Sequence, residues 1–202
     1  MKKHSILSVA AILTAAFFII GSAVAQDKKM SDEEAKMMAE FMKYATPDEH
    51  HKTLEPMIGK WTYTSKYWMA PDSPQQESKG TSEAMWLLGG RYLQENVNGE
   101  MMGGQFNGVG FTGYDLIKKE YINYWMDDMS TAPMISRGQI DASGKTITFM
   151  GTYPDVMQGM KDVTYKTVIK ITGADQHVME MYMVGEGGKE FKNMEISYTR
   201  AK

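Results

Sequence analysis

The chain has 202 residues, 43% hydrophobic and 23% charged, with 20 methionines and no cysteine. That length suits one globular domain, and the lack of Cys excludes disulfides, thiolate metal sites, iron–sulfur clusters and Cys nucleophiles. The formal charge of −3 is spread along the chain, without the basic stripe that nucleic-acid binding requires.

Residues 1–25 read as a secretory signal peptide. Lys2 and Lys3 form a positive start, Ile6 to Ile20 is apolar, and Ala23-Val24-Ala25 offers small residues before a cut at Gln26. The alternative is an uncleaved anchor, which takes about 20 apolar residues; Gly21 and Ser22 interrupt the run in the usual pre-cleavage position and favour cleavage after Ala25. Cleavage removes two lysines and no acid, taking the formal charge from −3 to −5. The expected product is periplasmic or secreted, with no stable membrane anchor and no nucleic-acid partner.

Residues 26–58 carry a helical pattern. Met30, Met37, Met38, Phe41 and Met42 repeat at helical spacing, and Ser31 with Glu34 makes a capping box. Thr46-Pro47-Asp48 ends that helix and starts a second turn, from Pro47 to about Met57, which stops at Gly59.

From Gly59 to Lys202 the texture changes to short segments of period two separated by Gly, Asp, Ser and Pro. Strands are predicted at Lys60–Met69, Gly80–Leu88, Arg91–Gly99, Gln105–Tyr114, Glu120–Asp127, Pro133–Ile140, Thr146–Tyr153, Val163–Thr172, His177–Val184 and Glu190–Thr199. Short links with no helix among them require antiparallel pairing. A ten-strand meander buries its edges by closing, so the predicted fold is mainly β, an antiparallel up-and-down barrel with one or two short N-terminal helices. A β-sandwich is the alternative. Neither face of the ninth or tenth strand is wholly apolar, so which face points inward stays open.

Gly59-Lys60-Trp61, at the start of the first strand after a helical turn, resembles the G-x-W signature of the lipocalin and fatty-acid-binding-protein (calycin) superfamily. That resemblance implies a structural role for Gly59, Trp61 and Arg200, with Arg200 packed across Trp61 at the closed end of the barrel. A wider resemblance runs from about Ala39 to Arg200. His51, Leu54, Pro56, Tyr67-Trp68-Met69-Ala70-Pro71, Trp86-Leu87-Leu88-Gly89-Gly90-Arg91-Tyr92-Leu93, Gly113-Tyr114-Asp115, Trp125-Met126-Asp127 and Gly188 to Ile196 are similar to the bacterial domain-of-unknown-function 1579 family. It implies a calycin-like barrel and no established activity, so it supplies no catalytic residues and no cofactor.

Candidate chemistry therefore comes from residue types. Trp68, Trp86, Trp125 and Tyr182 either fill a core or wall a ligand cavity. Arg91, Glu95, Asp127, Glu180 and Glu195 are the polar candidates, and Arg91 would suit a carboxylate or phosphate head group. His51 either fixes its helical turn by a hydrogen bond or serves a metal or ligand. Met179, Met181 and Met183 share a strand face, and soft thioethers suit Cu(I), although Met is also adaptable core filler. No nucleophile elbow, P-loop, dinucleotide fingerprint or zincin motif is present. The expected function is an exported barrel holding a small apolar or amphipathic molecule. The alternatives are an envelope-stress or Cu(I)-handling protein, or an enzyme with Asp127 or Glu195 as a base in the lumen.

Overall fold

Each period-two segment forms a strand, and each strand pairs with its neighbours in the chain. The computed structural model describes residues 30–155 and 159–202; the expected signal peptide and Met157 lie outside the described residues. Two compact units result, one ending at Met42 and one running from Lys43 to Lys202.

Helix α1 spans Asp32–Ala45, and none of its residues is buried. Its first turn closes reciprocally: the Ser31 amide donates to Glu34 Oε2 at 2.8 Å, and the Glu34 amide donates to Ser31 Oγ at 3.3 Å. A short helix, α2 (Glu49–Lys52), and a 3-10 turn at Glu55–Met57 follow. Asp48 caps α2 by accepting from the His50 amide at 3.0 Å, while the Asp48 amide donates to His51 Nδ1 at 3.1 Å. His51 is buried in that turn, and no group of three or more His, Asp or Glu side chains able to hold a metal occurs among the described residues.

Ten strands then form a closed antiparallel barrel: β1 (Gly59–Tyr67), β2 (Gln76–Leu87), β3 (Tyr92–Met101), β4 (Gly104–Asp115), β5 (Glu120–Asp127), β6 (Met134–Ile140), β7 (Thr146–Asp155), β8 (Lys161–Gly173), β9 (Gln176–Val184) and β10 (Glu190–Arg200). Closure comes from β1 pairing β10, from Trp61 opposite Arg200 to Tyr67 opposite Met194. Strand β2 starts at Gln76, four residues before its predicted start at Gly80. Its polar start is held by the ladder to β1, where Gln76 lies opposite Tyr67, so main-chain pairing supplies what the side-chain pattern lacks.

One end of the barrel is stoppered. Leu54 and Met57, from the helical turns, pack with Ala84, Leu93, Tyr121, Ile147 and Phe149. The Trp61 indole, 1% exposed, donates from Nε1 to the Met57 carbonyl at 2.8 Å. The Arg200 guanidinium lies 4.2 Å over the Trp61 ring and donates to the carbonyls of Ile58 at 2.8 Å and Pro56 at 3.0 Å. Gly59 has φ 126°, and a Cβ there would lie 2.6 Å from Arg200 Nη1; only glycine tolerates both constraints.

The Trp125 ring packs closely against the glycine backbone of β4. A Cβ at Gly108 would come within 2.4 Å of the Trp125 ring. Gly108→Ala is therefore expected to cost about 1–3 kcal/mol by overpacking, read by urea denaturation. An unchanged unfolding midpoint would show that Trp125 has somewhere else to go.

Candidate functional site: the barrel lumen

Above the stopper the barrel encloses a cavity of about 350 Å³, within the range of small-molecule sites. Strand alternation selects its walls. From β9, His177, Met179 and Met181 line it, and from β10, Met194, Ile196 and Tyr198 do so. Among the described residues, seven methionines, four of them Met57, Met101, Met129 and Met134, share the lining with Phe106, Phe149, Tyr63, Tyr165 and Trp125.

The mixed faces of β9 and β10 resolve in a way that corrects part of the sequence reading. Glu180, Tyr182 and Glu195 alternate with the lumen residues and stand on the outer wall. There Glu180 Oε2 accepts from Lys170 Nζ at 2.6 Å and from the Tyr182 hydroxyl at 3.0 Å, and Lys192 contacts Glu195. Burial alone would raise the Glu180 carboxyl; the Lys170 and Tyr182 hydrogen bonds outweigh it and hold the group below its ordinary value. Arg91 is also outside the lumen. Leu88, Gly89 and Gly90 all have positive φ, and this turn folds the Arg91 guanidinium back onto the Leu88 carbonyl at 2.9 Å and the Ala45 carbonyl. It lines a separate hollow of about 420 Å³ with Tyr44, Pro47 and Arg137. Trp86 packs against the stopper cluster. Trp68 lies just past β1, its amide donating to the Asn193 carbonyl at 2.9 Å.

Of the aromatic and acidic candidates, Trp125, Asp127 and Glu95 face the cavity. Trp125 Nε1 donates to Asp127 Oδ2 at 2.7 Å, and the Met129 amide donates to Asp127 Oδ1 at 3.0 Å. Both carboxylate oxygens are thus employed in holding the indole and the following loop. Met179 and Met181 line the cavity, whereas Met183 lies beyond its lining and accepts a long contact from the Tyr153 hydroxyl at 3.9 Å.

Glu95 sits deeper, midway along β3 between Ala84 of β2 and Gly110 of β4. Burial pushes its carboxyl above the ordinary carboxylate range. The Ser82 hydroxyl is near enough to oppose part of that shift without closing a hydrogen bond. Burial also raises the phenols of Tyr63 and Tyr198, and the nearby Glu95 adds to both shifts. The His177 ring stacks on Tyr198, centroids 4.2 Å apart, and meets the Trp61 ring edge-on at 4.4 Å. Burial, reinforced by Arg200, pulls its pKa down to about 4, so His177 is neutral at physiological pH.

Among the described residues, three buried polar atoms of the lining have no hydrogen-bond partner: Ser65 Oγ, His177 Nδ1 and Asn193 Oδ1. Sequence patterning did not single out these three as a site. His177 stood in a methionine-rich alternation, Ser65 between Tyr63 and Tyr67 in an aromatic alternation, and Asn193 on the face opposite Met194. A register shift between Lys192 and Met194 makes Asn193 a bulge, which turns its side chain into the lumen alongside Met194.

The fold is similar to the crystal structure of Rv2717c from M. tuberculosis, at 12% identity and a TM-score of 0.57, covering 78% of this chain and 100% of that one. At that identity the likeness shows the fold alone. A redesigned β-barrel, b11L5F_LGL, aligns at 13% identity and a TM-score of 0.40, covering 74% of this chain and 96% of that one. EF1p2_mFAP2b bound to DFHBI aligns at 13% and 0.39, covering 75% and 99%. No curated protein matches the chain. Residues 46–200, the whole barrel with its stopper turns, match the family described as protein of unknown function (DUF1579), and the chain belongs to that family.

Proposed function

We propose that the chain is an exported barrel that binds a small apolar or amphipathic molecule in its lumen. The observation that carries this reading is the pairing of an apolar cavity of about 350 Å³ with unpartnered polar atoms on its wall. A buried polar atom without a partner costs roughly 1–3 kcal/mol, and a bound molecule offering complementary groups recovers that cost. The methionine walls adapt to the shape of the guest, since thioether chains have soft, rotatable geometry. Export rests on the sequence features of residues 1–25.

Native mass spectrometry of the protein isolated from its own cells is expected to show a mass increment that disappears on denaturation. Nile red, a neutral apolar dye, is expected to enter the emptied protein with a rise in fluorescence. A bare mass together with no dye uptake would overturn the reading.

A further inference from the structure

The charged groups of the lumen point to a class of guest. Among the described residues that line it, none is Lys or Arg; the charged types are Glu95, Glu100 and Asp127. Glu100 and Asp127 stand near the ends of β3 and β5, at the mouth, and Glu95 stands deep inside. The rings beside Glu95 are electron-rich. Tyr63 reaches across β2 to β3, where a Cβ at Gly80 or Gly99 would fall 2.4 or 2.2 Å from its hydroxyl. Tyr198 lies opposite Tyr63 on β10, ring centroids 5.8 Å apart. An anionic head group would meet only acids here and no counter-charge. A cationic head group would meet carboxylates at the mouth, a carboxylate at depth and aromatic faces beside it.

Resting on the ligand-binding reading above, we propose that the lumen takes a lipophilic ammonium: an apolar body whose cationic head lodges against Glu95 beside Tyr63 and Tyr198. Ser65, 2% exposed, and His177, 7% exposed, carry unpartnered polar atoms into the same cavity. They accept hydrogen bonds from an ammonium that carries protons. The apolar tail lies among Met179, Met181 and Ile196.

Binding is then coupled to a proton. In the empty barrel the Glu95 carboxyl holds its proton to higher pH than an exposed glutamate, because burial penalises the ionised form. Lodging a fixed cation beside it favours ionisation, and the proton leaves to solvent. The groups coupled electrostatically to Glu95 are Tyr63 from β1, Ser82 from β2 and Tyr198 from β10, with His177 of β9 stacked on Tyr198 and Glu100 and Asp127 nearer the mouth. The two phenols are held above their ordinary value and His177 at about 4, so these three do not titrate near neutrality.

Isothermal titration with four probes of equal tail length tests this: decyltrimethylammonium, decylamine, 1-decanol and decanoate. The two cations are expected to bind roughly tenfold or more tighter than decanoate. Decyltrimethylammonium affinity is expected to rise with pH, by at most about tenfold per unit, until Glu95 is ionised. Glu95→Gln is expected to abolish the pH slope and to reduce the preference for cations severalfold while 1-decanol still binds. Retention of 1-decanol also shows that the variant is folded. If 1-decanol and decanoate bind as well as the cations, the ammonium proposal falls and the ligand-binding reading stands. If none of the four binds, the ligand-binding reading falls with it.

Discussion

Trp61→Ala is expected to cost about 3–5 kcal/mol of folding stability, the range for truncating a buried tryptophan. Three losses coincide at this position. The indole is almost fully enclosed, its Nε1 satisfies the Met57 carbonyl at 2.8 Å, and its face supports the Arg200 guanidinium at 4.2 Å. Removing the ring leaves a void beneath Arg200, whose Nη atoms hold the Ile58 and Pro56 carbonyls. Trp61→Phe is expected to cost less, because it keeps a flat ring and loses the Nε1 hydrogen bond. Equilibrium urea denaturation of both variants measures the difference. A loss under about 1 kcal/mol for the alanine variant would mean that Trp61 does not seal the barrel.

The second large effect is a loss of stability in mild acid, assigned to His177. Its pKa is about 4 in the fold and 6.5 when free. Between those values the unfolded chain binds the proton and the folded chain does not, so stability falls as pH falls. The contribution is fully present above 6.5 and is lost as pH drops through 4. A shift of that size corresponds to about 3 kcal/mol. Glu95 acts in the opposite sense. Its carboxyl is raised in the fold, so its contribution is present below the free carboxylate value and is lost as pH rises. The difference between wild type and His177→Phe isolates the histidine. Denaturant titrations at several pH values between 4 and 7 are expected to show a slope in wild type that is much reduced in the variant. Parallel profiles would sink the assignment.

The strands were legible because their chemistry alternates every second residue and their turns carry Gly, Asp and Ser. The outer limits of β2 were not, since Gln76 to Lys79 form strand only because β1 offers them a partner. Facing was harder. In β9, methionines occupy the inner positions while Glu180 and Tyr182 occupy the outer ones, yet a glutamate and a tyrosine suit a polar lumen as well as a lysine-rich wall. For Glu180 the neighbours that decide the matter, Lys170 and Lys192, lie on other strands. Arg91 was misplaced for a local reason: three positive-φ residues precede it, and only the Gly-Gly part of that turn showed in the sequence. Glu95 was one acid among four, and its distinction comes from depth, which no sequence pattern encodes. Asn193 owes its direction to a one-residue slip in the ladder.

The seal between Arg200 and residues 56–58 spans more than 140 positions of the chain. A barrel fastened this way resembles a ring clasped at its two ends. While the last strand is still being synthesised, the first has one partner and an open flank, and the stopper has nothing to lock it. Closure of the barrel therefore waits on β10, and contacts this distant in sequence form slowly. Until the clasp shuts, the methionine-rich lining stays accessible to whatever surrounds the chain, so the interval before closure is when this protein is most vulnerable to aggregation.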